Sequence, residues 1–227
     1  KWKCFLQGRL WISRPLSRGG IHGAAAIEVD ESESAAGQVL LLGGADADRA
    51  KSTVYLVDLA TAACARQPDL LHSRDYHDAA RLPDGRIICA GGLDGDYVGQ
   101  SSAEVWEAPE QGWADAAWAW REFPAMSVAR YACCGCVMSD GRFAVLGGYT
   151  SSCEVLAFDD GDAHWAPLPP MHDARAHSAC QAVAGGNGRK SAEVYDEELN
   201  RWLRLPCDLP HDLPHEGWLA EKGSAVL

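Results

Sequence analysis

Short apolar runs, each between a turn signal and a glycine pair, recur along this chain of 227 residues. In the clearest copy, Asp140-Gly141 precedes the run 143–146, which ends at Gly147-Gly148. Asp-Gly favours a hairpin turn because glycine accepts a positive φ and aspartate tolerates it. A continuous apolar run between such signals predicts a strand buried on both faces. Related runs, the last of them degraded, end at Gly43-Gly44, Gly91-Gly92 and Gly185-Gly186.

Two further phrases follow the later glycine pairs in a fixed order. The first joins Ser-x-Glu-Val to a large residue and begins at Ser102, Ser152 and Ser191. Its alternation of polar and apolar positions is typical of a half-exposed strand. The second starts with tryptophan and ends in proline, at 120–124, 165–169 and 202–206. Because proline lacks an N–H donor, this phrase suits a strand at the edge of a sheet.

An arginine begins each unit, and the apolar run, the glycine pair and the two phrases follow it in one order. These arginines are Arg18, Arg74, Arg130 and Arg175. Repetition of one unit is the sequence signature of structural arrays and propellers. The unit resembles the kelch repeat, which forms one four-stranded blade of a β-propeller, and the resemblance runs from about Trp11 to Pro206. We therefore predict an all-β fold, a kelch-type β-propeller of about four blades.

The repeats divide the chain into blades that are not all of one length. We predict a single domain over 1–227, with repeats at about 16–68, 69–124, 125–170 and 171–207 and a C-terminal tail at 208–227. Seventeen residues separate Arg130 from Gly147, whereas ten separate Arg175 from Gly185. Since kelch propellers usually close with more than four blades, we expect an incomplete propeller, either a fragment or one with a degenerate last blade.

The kelch resemblance also implies where function lies. The tryptophan of each outermost strand would pack between adjacent blades. The loop after each glycine pair and the loop before each arginine would share one face, which commonly binds partners in this family. The candidate partner-binding residues in these loops are Arg74, Asp75, Tyr76, His77, Asp94, Asp96, Tyr97, Arg130, Tyr131, Tyr149, Arg175, Asn187 and Arg189. For the arginines, the alternative is that each binds backbone carbonyl groups at the entrance of a blade.

Charge and hydropathy argue against two classes of partner. The formal net charge is −12 at pH 7, whereas proteins that bind nucleic acids or anionic membrane surfaces carry basic patches. No apolar run approaches the roughly 20 residues of a membrane helix. We therefore expect no nucleic-acid partner and no membrane partner, and the first residues show no signal peptide.

The nine cysteines are an odd number without the spacing of a small disulfide scaffold. Most lie in apolar runs, where a free thiol behaves as a small hydrophobic group, so we predict a reducing, intracellular, cytoplasmic setting. The run from Cys133 to Cys136, with Gly135 inside it, invites a zinc interpretation. No second Cys/His pair at finger spacing accompanies it, and we predict no metal and no other cofactor.

The function that the resemblance implies is protein–protein interaction, as a scaffold or a substrate receptor, in the manner of ubiquitin-ligase adaptors or cytoskeleton-associated proteins. The expected partner is another protein. The alternative is a kelch-propeller enzyme, such as a copper-radical oxidase or a sugar epimerase. The sequence contains no nucleophile elbow, phosphate loop or zinc-protease motif, and His22, His77 and His177 recur at equivalent blade positions, which does not favour convergence on one metal. We therefore predict no catalytic residue and no enzymatic activity.

Overall fold

A computed structural model describes nine segments of the chain. They are residues 3–5, 9–11, 22–28, 37–46, 49–107, 119–159, 161–176, 183–184 and 190–206. All the regular secondary structure in these segments is β, and every strand pairing in them is antiparallel.

The first sheets come from the N-terminal part. A two-stranded hairpin pairs β1 (Lys3–Phe5) with β2 (Arg9–Trp11). Blade 1 begins with β3 (Ala25–Glu28) and β4 (Gln38–Leu42), continues through a small hairpin of β5 (Ala45–Asp46) and β6 (Arg49–Ala50), and ends with β7 (Val54–Asp58) and β8 (Cys64–Gln67). Its four-stranded sheet has the order β3-β4-β7-β8.

Blades 2 and 3 are four-stranded sheets whose strands pair in chain order. Blade 2 consists of β9 (Asp78–Arg81), β10 (Ile87–Ala90), β11 (Ala103–Glu107) and β12 (Ala119–Phe123). Blade 3 consists of β13 (Cys134–Val137), β14 (Phe143–Leu146), β15 (Cys153–Asp159) and β16 (Asp162–Leu168). The first strands of the three blades lie side by side, β3 against β9 and β9 against β13. This arrangement confirms the predicted propeller-type, all-β fold.

Blade 4 has three strands within the described residues. They are β17 (Val183–Ala184), β18 (Ala192–Asp196) and β19 (Arg201–Arg204), in that order. The four successive sheets agree with the predicted propeller of about four blades. The predicted degeneracy of the last blade falls on the stretch 177–182, which lies outside the described residues, as does the tail from 207.

The recurring glycines hold the backbone where the sequence predicted turns and close approaches. Gly141 in the Asp-Gly turn has φ of 86°, and the Asp140 carboxylate accepts the Arg142 N–H at 3.0 Å. At Gly147, an added Cβ would lie only 2.6 Å from the Arg175 carbonyl oxygen. A side chain at that position would push away the Arg175 segment, which runs along the edge of blade 3 and leads into blade 4, so Gly147 is a condition for this close approach.

Each blade packs its apolar face against the next blade, with a tryptophan at the outer end of the contact. Trp120 lies with Leu42, Val54 and Leu70 in the core between blades 1 and 2. The core between blades 2 and 3 contains Ile88, Met126, Phe143, Val145 and Leu156, and Trp165 packs against it. The core between blades 3 and 4 contains Leu146, Val155, Met171 and Trp202. The tryptophans thus occupy the inter-blade position that the kelch resemblance implies.

Two of these tryptophans also bond to the blade before them. The Trp165 indole N–H donates to the Pro124 carbonyl at 2.7 Å, and that of Trp202 donates to the Pro169 carbonyl at 2.8 Å. The buried indole N–H of Trp120 has no hydrogen-bond partner in the described part of the chain. Equivalent positions in the repeat therefore differ by one hydrogen bond.

The cysteines depart from the prediction at one position. Five described cysteines are free, and burial raises the pKa of the Cys153 thiol to about 11, which leaves it protonated and unreactive. Cys134 is disulfide-bonded. The expectation of free thiols therefore fails for Cys134.

Replacing single tryptophans by phenylalanine should separate the contribution of the aromatic ring to stability from that of the indole N–H. Trp202→Phe leaves the Pro169 carbonyl without its donor, whereas Trp120→Phe removes an N–H that has no partner. We expect Trp202→Phe to lower the free energy of unfolding by about 1 kcal/mol more than Trp120→Phe does. Urea unfolding of the two variants measures this difference, and equal losses would show that the Trp202 hydrogen bond contributes nothing.

Candidate functional site

A buried arginine joins each described pair of neighbouring blades. The backbone of Arg74 belongs to the edge of blade 1, since its N–H donates to Lys51 and its carbonyl accepts from Gly44. Its side chain enters blade 2, where it donates to the Gly91 carbonyl at 2.7 Å and to the Ser102 carbonyl at 3.0 Å. One residue thus ties two sheets together through both its backbone and its side chain.

A glutamate neutralises each of these guanidinium groups. Arg74 Nε donates to Glu104 Oε1 at 2.7 Å, and both side chains are fully buried. Arg130 meets Glu154 at 2.9 Å, and Arg175 meets Glu193 at 2.9 Å. We call these three pairs the arginine–glutamate clamps. Because burial of a charge is tolerable only with a partner, arginine and glutamate must enter the fold together.

The second carboxylate oxygen of each clamp holds the loop that leads into the arginine. Glu104 Oε2 accepts the Leu71 N–H at 2.6 Å, and Glu154 Oε2 accepts the Ser127 N–H at 2.8 Å. Glu193 Oε2 accepts the His172 N–H at 2.8 Å. The glutamate therefore fixes both the arginine and the loop before it. The position and the shape of these loops therefore depend on the clamps.

The electrostatic setting of two glutamates agrees with this role. Burial by itself raises the pKa of Glu154, but hydrogen bonds from Ser127 and Arg130 outweigh it and hold the pKa below its ordinary value. Burial likewise opposes the lowered pKa of Glu193, which results from hydrogen bonds from His172 and Arg175. Both carboxylates are therefore ionised at neutral pH.

The clamps change the interpretation of the Ser-x-Glu-Val phrase. Its alternation predicted a half-exposed strand, but Glu104, Glu154 and Glu193 are all buried. The signal was present in the repeats themselves, because the unit that has Tyr55 in place of glutamate also deviates at the tryptophan position, where it has Cys64. Pairing each arginine with the glutamate of its own unit would have predicted the clamps.

The geometry supports the structural alternative for the three candidate arginines. Arg74, Arg130 and Arg175 have no exposed surface, and all three are held within the clamps. They are therefore out of reach of a partner at this surface. His77 is also buried, between Gly43 and Gly92, where it separates neighbouring backbone segments.

The loops next to the clamps share one face, as the sequence predicted. We define the loop face as residues 70–77, 92–101, 125–132 and 147–151. Isolated bridges join these loops, namely Asp75 to Leu93 and Gln100 to Arg130, and a further bridge links Thr150 to Arg175 outside the loop face. The Ala132 N–H also donates to the Tyr76 carbonyl at 2.8 Å, from blade 3 to blade 2. The loop face is thus continuous across blades 2 and 3.

Tyrosines dominate the exposed part of the loop face. Tyr97 is 62% exposed and Tyr149 is 42% exposed. The rings of Tyr131 and Tyr149 stack with their centroids 4.9 Å apart, and Tyr131 lies against Gly99. Tyr76 lies 6.1 Å from the His22 ring of blade 1, between ring centroids. The structure therefore brings all four candidate tyrosines to one surface.

Three of these tyrosines have a backbone conformation that tyrosine rarely adopts. The φ angles are 53° at Tyr76, 61° at Tyr97 and 62° at Tyr149. A left-handed conformation costs a residue other than glycine roughly 1 to 2 kcal/mol, and glycine or asparagine would fit better. The three side chains are partly or largely exposed, so packing in the core does not compensate for this energetic cost.

The carboxylates of the loop face have two different surroundings. Asp94 Oδ1 accepts the N–H groups of Asp96 and Val98 at 2.8 and 2.9 Å, which turns the loop and leaves Asp96 exposed beside Tyr97 at its tip. Asp75 is only 4% exposed, and its Oδ1 has no hydrogen-bond partner in the described structure. Burial raises the pKa of Asp75 to about 6, and the nearby His22 opposes this shift.

The remaining observations on the site concern the last blade and metals. The candidates Asn187 and Arg189 lie outside the described residues.

Among the residues that are described, no group of three or more His, Cys, Asp or Glu side chains could hold a metal ion. No helix in the described segments is long and apolar enough to cross a lipid bilayer.

One protein of known sequence is similar to this chain over part of its length. No family model matches the chain. An F-box/kelch-repeat protein of Arabidopsis thaliana is 28% identical to it over 132 residues, which make up 57% of this chain. The matched stretch spans only 31% of that plant protein. The similarity agrees with kelch-like repeats in this chain and leaves most of the relative unmatched.

Two solved structures were compared with the chain, and one of them resembles it in fold. The structure of YjhT has a TM-score of 0.65 at 12% sequence identity, with 89% of this chain and 75% of that chain covered. A fungal alcohol oxidase of the AA5 family, in complex with copper, has a TM-score of 0.45 at 13% identity, with 87% and 54% covered. The likeness to YjhT supports the propeller fold alone.

Removing one partner of a clamp should be far more damaging than removing both. Arg130→Met leaves Glu154 buried without its cation, so we expect a loss of about 3 to 5 kcal/mol in the free energy of unfolding. The double variant Arg130→Met/Glu154→Met should lose clearly less than the sum of the single losses. Urea unfolding gives the cycle, with Arg66→Met in the exposed Arg66–Asp69 pair as a control that should cost less than about 1 kcal/mol. Additive losses would contradict a clamp.

The buried Asp75 should make stability depend on pH. Its pKa is about 6 in the folded protein against 3.8 as the ordinary value, so between these pH values the unfolded chain ionises while the folded protein keeps its proton. Stability therefore falls as the pH rises through this window. We expect Asp75→Asn to raise the free energy of unfolding at pH 7 by up to about 3 kcal/mol, and to have no such effect near pH 3.

Urea unfolding at the two pH values tests this, with the exposed Asp96→Asn as the matched control. An equal effect of Asp75→Asn at both pH values would show that the carboxyl is not titrating in the folded protein.

Proposed function

We propose that this chain is a protein-interaction module that binds another protein through the loop face. The observation that carries the proposal is the set of left-handed tyrosines, among which Tyr97 and Tyr149 are exposed. Each ring is kept at an energetic cost that a glycine or asparagine would avoid. Tyrosine is among the residues that dominate binding energy at protein interfaces, which gives this cost a reason.

The scaffold below the loop face suits this use. The clamps fix the loops at both ends, so binding orders few additional groups and loses little conformational entropy. Function commonly resides in loops that a rigid scaffold positions, and here the loops come from two neighbouring blades. A surface built in this way recognises the shape and chemistry of a partner rather than reacting with it.

The type of module follows from the sequence similarity as a further part of the proposal. The similar plant protein is named for an F-box together with kelch repeats. By analogy, this chain would act as the recognition part of a substrate receptor, with the partner presented to a ubiquitin ligase. A scaffold role beside the cytoskeleton is the second form of the same binding function. No observation in the described residues favours the enzymatic alternative.

A pair of asparagine substitutions tests the proposal without damage to the fold. Asparagine tolerates the left-handed conformation, so Tyr97→Asn/Tyr149→Asn removes two rings at little backbone cost. We expect the double variant to remain within about 1 kcal/mol of the wild type in urea unfolding, or to exceed it. Its affinity for the partner should fall by at least about tenfold, because each ring of an interface hot spot contributes 1 kcal/mol or more.

Affinity capture from cells, followed by mass spectrometry, identifies the partner and compares the variants. The control is Phe158→Thr/Leu199→Asn, which removes two exposed apolar side chains away from the loop face, one near the end of β15 and one in the turn 197–200. Capture that is unchanged in the tyrosine variant, or lost equally in the control, would remove the loop face as the binding surface.

A further inference from the structure

We infer that the loop face receives a cationic segment of its partner, one that presents arginine or lysine side chains to the tyrosines and aspartates. The inference rests on the proposed function and deepens it, since it names the chemistry of the partner. It comes from the distribution of charge over the loop face.

Every formal charge that reaches the surface of the loop face is negative. The carboxylates are those of Asp94 and Asp96, with Asp96 exposed at the tip of its loop. The only arginines within the loop face, Arg74 and Arg130, are fully buried and held by Glu104 and Glu154. The clamps thus remove the cations from the surface and leave the anions on it.

The flank of the loop face on the side of blade 1 carries one paired and one exposed cation. Lys51 is bonded to Asp46 at 2.6 Å, and Arg49 is exposed on β6 of the same hairpin. Within the loop face, His72 Nε2 lies 2.7 Å from Glu122, which turns that imidazole towards a carboxylate of its own blade. At the loop tip itself, the charged side chain beside Tyr97 is the Asp96 carboxylate.

Tyrosine rings beside carboxylates form a receptor suited to cations. The face of an aromatic ring attracts a guanidinium or ammonium group, and more strongly where water is excluded. Asp96 and Tyr97 are adjacent at the loop tip, and the stacked pair of Tyr131 and Tyr149 lies beyond Gly99 on the same surface. An extended segment that crosses from the loop tip to the stacked rings would meet charge attraction and aromatic surface in turn.

The charge of the whole protein acts in the same direction. A net charge of −12 attracts a cationic segment over longer distances and repels an acidic one. Attraction of this kind raises the association rate and weakens as salt is added. Salt dependence alone does not locate the site, so the test must compare positions on the protein.

Three short fluorescein-labelled peptides of equal length provide the probe. The first alternates arginine with serine, the second has citrulline in place of every arginine, and the third has glutamate there. Fluorescence anisotropy at about 0.05 M and about 0.3 M salt measures their affinity for the wild type. We expect the arginine peptide to bind at least tenfold more tightly than the citrulline peptide and the glutamate peptide not to bind, with weaker arginine binding at the higher salt.

Matched variants locate the binding. Asp96→Asn and Tyr97→Asn should each weaken the arginine peptide by about fivefold. The control is Asp159→Asn, which makes the same change in net charge at a side chain that is 82% exposed at the end of β15, away from the loop face. It should change the affinity by less than twofold.

The possible results separate the inference from the proposed function. Equal losses in Asp96→Asn and Asp159→Asn, equal binding of the arginine and citrulline peptides, or no binding of the arginine peptide would overturn the cationic segment. If the double tyrosine variant still fails to capture its cellular partner in that case, the loop face remains the binding surface with a different chemistry. Capture that is unchanged would overturn both.

Discussion

The arginine–glutamate clamp is the interaction on which the rest of this structure depends. Each clamp buries a full positive and a full negative charge and satisfies them with carbonyl groups of the glycine–serine edge of one blade and N–H groups of the loop that leads into it. Such a pair adds little net stability over an apolar substitute, but removal of either partner is costly. Its main consequence is specificity, because only one register between neighbouring blades satisfies all of its hydrogen bonds.

The clamps also decide what the surface can do. A surface loop next to a propeller blade would ordinarily display its arginines, and here Arg130 instead points into blade 3, where Gly147 and Ser152 accept its hydrogen bonds. The surface is left with tyrosine rings and with Asp96. Left-handed backbone conformations at Tyr97 and Tyr149 persist because the ends of their loops are fixed. The same interaction that joins the blades thus makes the loop face both rigid and acidic.

Local signals made much of the fold predictable from sequence, and long-range pairing limited the rest. The strand after Asp140-Gly141 and the turn at Gly147-Gly148 follow from backbone preferences that act within a few residues. The burial of Glu104 depends on Arg74, which is 30 residues away, so alternation of polar and apolar positions could not predict it. The structure places the four candidate tyrosines on the loop face, but the φ angles of Tyr76, Tyr97 and Tyr149 break the rule that assigns this conformation to glycine or asparagine. The disulfide of Cys134 could not be predicted, because the spacing of cysteines along the chain does not show which thiols meet in space.

Nearest-neighbour packing explains how a short array can carry a binding surface. In repeat architectures each unit contacts only the units beside it, so stability is distributed over the interfaces. Blades 2 and 3, which supply most of the loop face, have a clamped apolar interface on each side, formed by Arg74, Arg130 and Arg175. Blade 4 contributes its interface to blade 3 through Trp202 and Glu193, both of which lie in its described strands. The geometry of the loop face therefore depends mainly on blades 2 and 3, each of which is held by clamps on both sides.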